Sequence, residues 1–410
     1  MIKKINKYYV LIRLALQGLV LRLIANVLFR RTKNDTPKTI ILFRTCLLGD
    51  FLFAVPAISI LRQRFPDARI IFMTTFAGNK KTVRGSKKYL SNDSDIPPWF
   101  SFIYPEIVND IFFIKDFALE NIYPLRKKLN SLEPDLMFIL PHPSDAPLGL
   151  AKKLFFLKIL GVSKNVYGFN VKGDYSFGRN IQNDLGLFTH KVLGPIRALK
   201  EYYSLANINE NNVLFPLTIR DDANTWAEEK LNQVEHPQLV IALAIGSIQL
   251  HKRWVIENYS NLIKKIEQYH YATFLLVGTK NDLDLGEYIK KQHPKSSIIN
   301  LIAQTTVEQL AAVFKRTDIL IGNDGGAIHL AAAVNCKTIS IISGIEYPYS
   351  IEPWGFINYA VRHSVSCSPC YSMTECPLKH NKCLTELPVD KVYEMFTKVV
   401  KTIDKVSIIS

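Results

Sequence analysis

The sequence predicts an α/β protein of two Rossmann-like domains that face each other across a cleft. Two series of short apolar segments alternate with segments of helical pattern, which is typical of parallel sheets covered by helices. A helical and polar stretch that ends near residue 234 separates the two series. The 410 residues suffice for two domains of ordinary size, and at 48% hydrophobic residues the chain can bury two cores.

The first series begins after Pro37 and defines a first domain at residues 37–220. Its strands are expected at 39–44, 69–73, 110–115, 135–140 and 165–169. Its helices are expected at 50–65, 119–132 and 151–160. The basic, polar stretch 78–99 is expected to be a long loop.

The second series defines a second domain at residues 221–410, which includes a cysteine-rich segment at 367–383. Its strands are expected at 239–244, 273–277, 297–301, 319–321 and 337–342. Its helices are expected at 256–268, 307–315, 327–334 and, after Pro388, 389–406.

Residues 1–36 precede both domains and carry Lys or Arg at eight positions. Residues 8–29 are largely apolar, but Arg13 and Arg22 interrupt them, whereas a membrane-spanning helix carries about 20 apolar residues with few charges. No small-residue cleavage site follows a clean apolar core, which argues against a signal peptide. Two interpretations stay open: a helix lying at the anionic inner-membrane surface, and a basic helix docked on the protein itself.

The net charge of +15 favours anionic partners such as phosphosugars, nucleotides or an acidic membrane surface. The sequence has no zinc-finger pattern, RNP-type segment or basic stripe interleaved with aromatic residues, so nucleic acid is not an expected partner. Six cysteines are few for this length, and Cys46 and Cys336 lie in apolar segments, which favours a reducing, cytoplasmic location.

The most informative segment is I-G-N-D-G-G-A-I-H-L-A-A at residues 321–332, where a buried strand is expected to turn into a small-residue helix. Gly325 and Gly326 let backbone N–H groups at the helix start approach an anion, and the helix dipole adds partial positive charge there. Asp324 lies in the turn, and His329 lies about one turn into the helix, within reach of the same anion. The alternative is a tight turn in which the glycines serve only geometry.

The second domain opens with A-I-G-S-I-Q-L-H-K-R-W, a strand that ends at Gly246 and Ser247. These two residues permit close backbone and hydroxyl contacts to a phosphate, and Lys252 adds a point charge. The alternative is an exposed loop with a solvated Lys–Arg pair. Trp254 is expected to pack rather than bind a ligand.

The first strand of the first domain runs into T-C-L-L-G-D-F, which places Asp50 at a strand–helix junction. Ligands of open α/β sheets bind beyond the carboxyl ends of the strands, and a carboxylate there can serve as a general base. The alternative is that Asp50 only caps the following helix.

A C-x2-C-x5-C-x6-C pattern is formed by Cys367, Cys370, Cys376 and Cys383. Four thiolates within seventeen residues can bind zinc or iron tetrahedrally. The alternative is a set of reduced, partly packed thiols.

Four landmarks occur in order: I-I-L-F-R-T-C-L-L-G-D-F-L-F-A-V-P-A, G-S-I-Q-L-H-K-R-W, G-N-D-G-G-A-I-H-L-A-A-A and C-S-P-C-Y-S-M-T-E-C-P-L-K-H-N-K-C-L. Together they resemble glycosyltransferase family 9, the ADP-heptose:lipopolysaccharide heptosyltransferase family. The resemblance runs from residue 39 to about residue 400.

The resemblance implies a GT-B fold and inverting, metal-independent transfer from a nucleotide-diphosphate sugar, with the acceptor in the first domain and the donor in the second. By position, Asp50 matches the family's general base, and Ser247 and Lys252, which follow Gly246, match donor-phosphate contacts. The second phosphate-binding loop of the family is matched by Asp324, Gly325, Gly326 and His329. Cations and a helix start would stabilise the departing diphosphate in place of a metal.

The expected function is transfer of a sugar, heptose from ADP-heptose in the first instance, to a lipopolysaccharide inner-core or lipid A-linked acceptor at the cytoplasmic membrane face. Two alternatives are transfer to a protein, as in autotransporter glycosylation, and a catalytically silent GT-B scaffold that binds nucleotide or anionic lipid. Related heptosyltransferases that modify proteins hold iron in a four-cysteine finger, which favours a structural zinc or iron here. Gly325 departs from the hydroxyl residue common in the family, and Asp145 is a reserve candidate for the base.

Overall fold

The structure is a computed structural model of the chain. It describes residues 16, 19–21, 23–45, 47–75, 97–114, 122–140, 147–162, 164–169, 190–211, 213–232, 239–370, 372 and 374–403. Cys46, Asp145 and most of the predicted loop 78–99 lie outside these residues. The chain divides into two compact units, Met1–Thr218 and Ile219–Ser410, and the boundary predicted from the sequence lies close to this division.

The first unit is a parallel sheet flanked by helices. Its strands are β1 Thr39–Phe43, β2 Arg69–Thr75, β3 Asp110–Ile114, β4 Leu136–Ile139 and β5 Val166–Tyr167. Its helices include α1 Leu48–Leu52, α2 Val55–Arg64, α3 Ile122–Ser131, α4 Pro147–Ile159 and α5 Leu193–Leu199. The strand order is β3-β2-β1-β4-β5, so the connection changes direction between β1 and β4, at the switch point of a Rossmann-like sheet.

One helix predicted in the first unit is interrupted in the structure. The single helix expected at 50–65 is two helices, α1 and α2, which are separated at Phe53 and Ala54. The reason is Pro56, which occupies the first turn of α2, where its missing N–H costs nothing, and which would break the interior of a longer helix.

The N-terminal segment belongs to the core of the first unit. Its described residues 16, 19–21 and 23–28 are helical and are called the N-terminal helix below. Leu21, Ala25 and Phe29 are buried in one cluster with Leu154 and Leu157 of α4. The segment 1–36, expected to stand before the first domain, therefore supplies part of that domain's hydrophobic contacts.

The second unit is also a parallel sheet flanked by helices. Its strands are β6 Leu239–Ala244, β7 Ala272–Val277, β8 Ser297–Asn300, β9 Ile319–Asn323, β10 Lys337–Ile341 and β11 Ala360–Val361. Its helices are α6 Asp221–Leu231, α7 Ile256–Glu267, α8 Leu283–Gln292, α9 Val307–Lys315, α10 Gly326–Ala333, α11 Lys382–Thr385 and α12 Val389–Val400. The order β11-β10-β9-β6-β7-β8 places the switch point between β6 and β9.

Helix α8 was not predicted from the sequence. Its interior contains Gly286, which lowers helix propensity by about 1 kcal/mol relative to alanine. Packing explains the glycine, because a Cβ at this position would lie 2.6 Å from Cδ1 of Ile302. Tertiary contact thus outweighs local propensity here.

The two strands at the switch point of the second unit are neighbours, with residues 241–244 of β6 paired with residues 319–322 of β9. Ala244 at the end of β6 is paired with Gly322 of β9. A Cβ at Gly322 would lie 2.6 Å from the Cβ of Ala244, so only glycine permits this approach. The loops that follow β6 and β9 therefore begin next to each other.

Among the described residues, no helix is both long and apolar enough to cross a membrane.

Candidate active site

The loops after β6 and β9 form one hydrogen-bonded site at the switch point of the second unit. Lys252 Nζ donates to Asp324 Oδ2 at 2.7 Å. Ser247 Oγ donates to the Asp324 carbonyl oxygen at 3.3 Å. The side chains of Lys252 and Asp324 are only 13% and 7% exposed. The structure thus brings together the residues that the two sequence motifs had offered separately.

The electrostatics of this site centre on the Asp324 carboxylate. Burial alone would raise its pKa, but the Lys252 ammonium and the His329 ring outweigh burial and hold the pKa well below its usual range. Nε2 of His329 lies 3.9 Å from Asp324 Oδ1. Asp324 is therefore ionised at neutral pH and fixes the position of the Lys252 ammonium beside the helix start.

Helix α10 begins at this cluster and offers backbone donors to an anion. Gly325 is the N-cap residue, and no side chain caps the helix with a hydrogen bond. The first N–H groups of a helix have no partner within the helix, and the dipole makes this end partly positive. The backbone of Gly325 is extended, and an added Cβ would meet only Asn323 O, at 3.8 Å. Gly325 is therefore not required by steric limits.

Asn323 ties the two loops together and was not predicted as a site residue. Its side chain is buried, and its Nδ2 donates to the carbonyl oxygen of Ile245 at 2.8 Å. Its Oδ1 accepts a hydrogen bond from the backbone N–H of Trp254 at 2.9 Å. The only sequence signal is its place beside Asp324 at the end of β9. Asn323 fixes the path of the loop that carries Ser247 and Lys252.

Arg253 supplies a second brace for the same loop. Its Nε donates to the carbonyl oxygen of Ser247 at 2.8 Å, and its Nη2 donates to Asp282 Oδ1 at 3.0 Å. Asp282 Oδ2 in turn accepts from the backbone N–H of Thr279 at 2.8 Å. A Cβ at Gly246 would lie 2.2 Å from Asp282 Oδ1, so this position requires glycine.

The alternative of a solvated Lys–Arg pair does not describe this loop. Both cations are mostly buried and paired with carboxylates, Lys252 with Asp324 and Arg253 with Asp282. Trp254 packs as expected, because it is 2% exposed and its ring stacks edge-on against Tyr259.

Asp50 lies at the switch point of the first unit, beyond the end of β1. It is partly buried and occupies the first turn of α1, whose neighbouring residues Phe51 and Leu52 are buried and anchor the helix. The N-cap residues of α1 and α2 are Leu47 and Ala54, so Asp50 is the N-cap of neither helix. The alternative that Asp50 only caps a helix is therefore wrong, and its role as a general base stays a prediction. The reserve candidate, Asp145, lies outside the described residues.

The four cysteines of the 367–383 segment line one pocket together with His251 and His380. Sγ of Cys367 lies 4.0 Å from Nε2 of His380. The backbone N–H of Asn381 donates to Sγ of Cys376 at 3.4 Å. In the described part of the chain, no group of three or more His, Cys, Asp or Glu side chains is arranged to hold a metal ion.

The thiols of this pocket differ in their tendency to ionise. Burial opposes ionisation of Cys376, but hydrogen bonds from the backbone N–H groups of residues 378–381 outweigh it and lower the pKa of this thiol. Burial raises the pKa of the Cys383 thiol. The pocket adjoins the loop after β6, because His251 precedes Lys252 and its Nε2 lies 3.2 Å from the carbonyl oxygen of Ser372.

Comparison with known proteins relates this site to one family. Residues 183–381 match the model of glycosyltransferase family 9 (heptosyltransferase). The lipooligosaccharide heptosyltransferase 2 of Campylobacter jejuni is 23% identical over 362 residues, which cover 86% of this chain and 96% of that protein. The chain is similar to glycosyltransferase family 9 over residues 183–381 and to this relative over most of its length. It is therefore a glycosyltransferase, as its sequence motifs implied.

Solved structures of this family show the same fold. The family 9 glycosyltransferase from Veillonella parvula has a TM-score of 0.60 at 15% identity, over 90% of this chain and 99% of that one. The ADP-heptose lipopolysaccharide heptosyltransferase II of Escherichia coli has a TM-score of 0.57 at 16% identity, over 89% and 99%. The predicted GT-B class, with two Rossmann-like domains, is confirmed.

One further solved structure shares this fold. The iron-containing dodecameric glycosyltransferase TibC from enterotoxigenic Escherichia coli has a TM-score of 0.51 at 12% identity, over 90% of this chain and 78% of that one. At this identity the likeness concerns the fold alone.

Proposed function

We propose that the protein transfers heptose from ADP-heptose to a lipopolysaccharide inner-core acceptor with inversion and without a metal at the reacting atoms. The observation that carries this proposal is the buried Lys252–Asp324–His329 cluster at the start of α10. A family 9 glycosyltransferase needs a site that binds a diphosphate and stabilises it as it departs. An ammonium, an imidazole and free helix N–H groups supply that stabilisation.

In the proposed reaction, the Asp50 carboxylate takes the proton of the acceptor hydroxyl as that oxygen attacks the anomeric carbon of the donor. The new carbon–oxygen bond forms while the bond from the anomeric carbon to the diphosphate oxygen breaks. The electron pair of the broken bond stays on the diphosphate, whose added negative charge Lys252 and His329 offset. Ser247 and the backbone of Gly246, Gly325 and Gly326 would position the phosphates.

The nature of the acceptor is proposed from the relatives. The Campylobacter jejuni relative is named for lipooligosaccharide, and an acceptor anchored in lipid A lies at a membrane surface. We therefore place the protein in the cytoplasm, peripheral to the inner face of the membrane, where donor and acceptor meet. A protein acceptor is the alternative.

A calorimetric titration with ADP, UDP, GDP and ADP-heptose tests the donor. We expect binding of ADP and ADP-heptose at least tenfold tighter than that of the other nucleotides. Lys252→Ala should weaken ADP binding at least tenfold, whereas Lys264→Ala, an exposed lysine of α7, should leave it unchanged. Tighter binding of UDP or GDP would mean that the donor carries that nucleotide instead of ADP. A folded sample that binds no nucleotide would favour the alternative of a catalytically silent GT-B scaffold.

Transfer of labelled heptose to two acceptors tests the second half of the proposal. Label should enter lipooligosaccharide from a strain that lacks core heptose, and not a protein fraction of the same cells. Label found only in protein would contradict the lipid acceptor and support the protein-modifying alternative.

We also propose a structural zinc or iron at the four cysteines. The donor set and the N–H groups directed at Cys376 suit a thiolate ligand, although the four sulfurs are not arranged around a common point. Metal analysis of the purified protein should give one zinc or iron per chain, lost in Cys370→Ser and Cys383→Ser together. A metal-free, fully stable protein would assign the cysteines to packing.

A further inference from the structure

The N-terminal helix has a solvent-exposed face that is apolar. Leu16, Leu19, Val20, Leu23 and Val27 are each between 52% and 84% exposed. In soluble proteins single exposed apolar residues are normal, but a contiguous set of large ones marks an interaction surface. This face is the feature that the proposed activity leaves unused.

The spacing of these residues places them in one stripe. Positions 16, 20, 23 and 27 are separated by three or four residues, and at 3.6 residues per turn they lie on one side of a helix. The opposite side carries Leu21, Ala25 and Phe29, which are buried in the first unit. The helix is therefore docked on the protein by one apolar face and presents a second apolar face to solvent.

Helix α4, which packs against the N-terminal helix, also has exposed apolar residues. Its Leu154 and Leu157 are buried beside the N-terminal helix, while Phe155 and Ile159 are 50% and 53% exposed. Lys158 joins the two helices, because its Nζ donates to the carbonyl oxygen of Leu28 at 2.8 Å and lies 5.9 Å from the centre of the Phe29 ring. The exposed residues of both helices form the apolar ridge, which consists of Leu16, Leu19, Val20, Leu23, Val27, Phe155 and Ile159.

Exposed cations lie close to the described residues of the apolar ridge, and the N-terminal sequence is basic. Residues 1–36 hold eight Lys or Arg and one acidic residue, Asp35, so this short segment supplies a large part of the net charge of +15. Arg30, directly after the N-terminal helix, is exposed, and α4 adds Lys152 and Lys158, both exposed. An apolar stripe bordered by cations has the chemistry of a helix that lies in an anionic membrane interface.

We propose that the apolar ridge inserts into the surface of an anionic lipid bilayer and holds the enzyme there, in line with its proposed lipid-linked acceptor. A bilayer satisfies both features at once, because acyl chains accept the apolar side chains while lipid phosphates meet the cations. A second copy of the chain suits the ridge less well. It would bring the same cations against each other, and like charges at close range repel.

Vesicle co-sedimentation of the full chain tests this proposal without donor or acceptor. The probes are vesicles of phosphatidylglycerol and phosphatidylethanolamine, and vesicles of phosphatidylcholine alone. Wild type should bind the anionic vesicles, and Leu23→Asp with Val27→Asp should weaken that binding at least tenfold. The matched control, Leu214→Asp with Leu283→Asp, places the same two charges on exposed leucines elsewhere and should bind as wild type.

A transfer assay with a delipidated acceptor distinguishes the ridge proposal from the proposed function. In this assay the variant Leu23→Asp with Val27→Asp should have the kcat and KM of wild type. Vesicle binding without any heptosyl transfer would overturn the proposed function and leave the ridge proposal intact. Equal vesicle binding by the ridge variant and wild type would overturn the ridge proposal. The ridge proposal would also be overturned if wild type did not bind vesicles but formed a dimer that the ridge substitutions dissociate.

Discussion

At the scale of single residues, the proposed donor site depends on one buried carboxylate. Asp324 is 7% exposed and lies 2.7 Å from the Lys252 ammonium. Removing one member of a buried ion pair leaves the other charge without compensation, which costs about 3–5 kcal/mol. The pair also orients the cation that is proposed to bind the diphosphate.

We expect Asp324→Asn to lower the free energy of unfolding at pH 7 and to weaken ADP binding at least tenfold. The pKa of Asp324 is lowered on folding, so its contribution is present above the unfolded-state pKa of about 4 and is lost as pH falls below that value. Denaturant unfolding at pH 7 and near pH 3 should therefore show a difference between wild type and variant that shrinks in acid. An equal difference at both pH values would contradict this role.

Asp50 carries the proposed proton transfer. Asp50→Asn keeps the size of the side chain but removes the base, so kcat should fall about 100-fold or more, as is typical for loss of a general base. ADP affinity should stay within twofold, because Asp50 belongs to the first unit and the phosphate-binding loops to the second. Turnover within tenfold of wild type would move the base elsewhere, with Asp145 as the next candidate.

At the scale of elements, Gly246 and Gly325 in the two loops proposed to bind phosphate differ in their steric surroundings. A Cβ at Gly246 would meet the Asp282 carboxylate at 2.2 Å, whereas a Cβ at Gly325 would find its nearest neighbour at 3.8 Å. The two positions therefore form a matched pair for substitution by the same residue.

We expect Gly246→Ala to displace Asp282 from Arg253, to lower the melting temperature by several degrees and to weaken ADP binding. Gly325→Ala should leave both quantities near wild type. Thermal unfolding and calorimetry of the two variants check this. If the two substitutions had the same effect, the close contact between the Gly246 backbone and Asp282 would not be important for the loop.

The elements differ in how far the sequence determines them. Buried strands such as β6, and helix α9 with its Thr306 capping box, were predicted at their observed bounds, because pattern and local hydrogen bonding agree there. Helix α8 was missed because tertiary packing sets Gly286. Asn323 was missed because its function depends on the neighbouring loop, 69 residues away along the chain at Trp254.

The N-terminal helix shows a different limit. From sequence, docking on the protein and lying at a membrane were alternatives, because the polar residues do not fall on one face of the predicted helix. The structure assigns Leu21, Ala25 and Phe29 to the core and leaves an apolar stripe exposed. The two interpretations are therefore compatible, because one apolar face of the helix is buried and the other is exposed.

At the scale of the whole molecule, each unit has its own hydrophobic core and its own switch point. Parallel sheets bring the loops of neighbouring strands to one edge, which explains why distant motifs such as 246–252 and 324–329 meet. The resemblance to family 9 implied that both motifs contact the donor phosphates and therefore lie close together. The hydrogen bonds between them were not predictable.

Amide hydrogen exchange should show which of the two units binds ADP. Saturating ADP should slow amide exchange in residues 246–254 and 323–330, because these loops carry the proposed phosphate contacts. Peptides that cover β2 and β3 in the first unit should change little. Protection confined to the first unit would contradict the assignment of the donor site.

The most direct test of the account is a transfer assay with purified protein, ADP-heptose and lipooligosaccharide that lacks core heptose. Mass spectrometry of the acceptor should show a gain of one heptose with release of ADP, abolished in Asp50→Asn and strongly reduced in Lys252→Ala. A folded, ADP-binding protein that adds no heptose to this acceptor, or that adds it equally well with Asn at position 50, would contradict it.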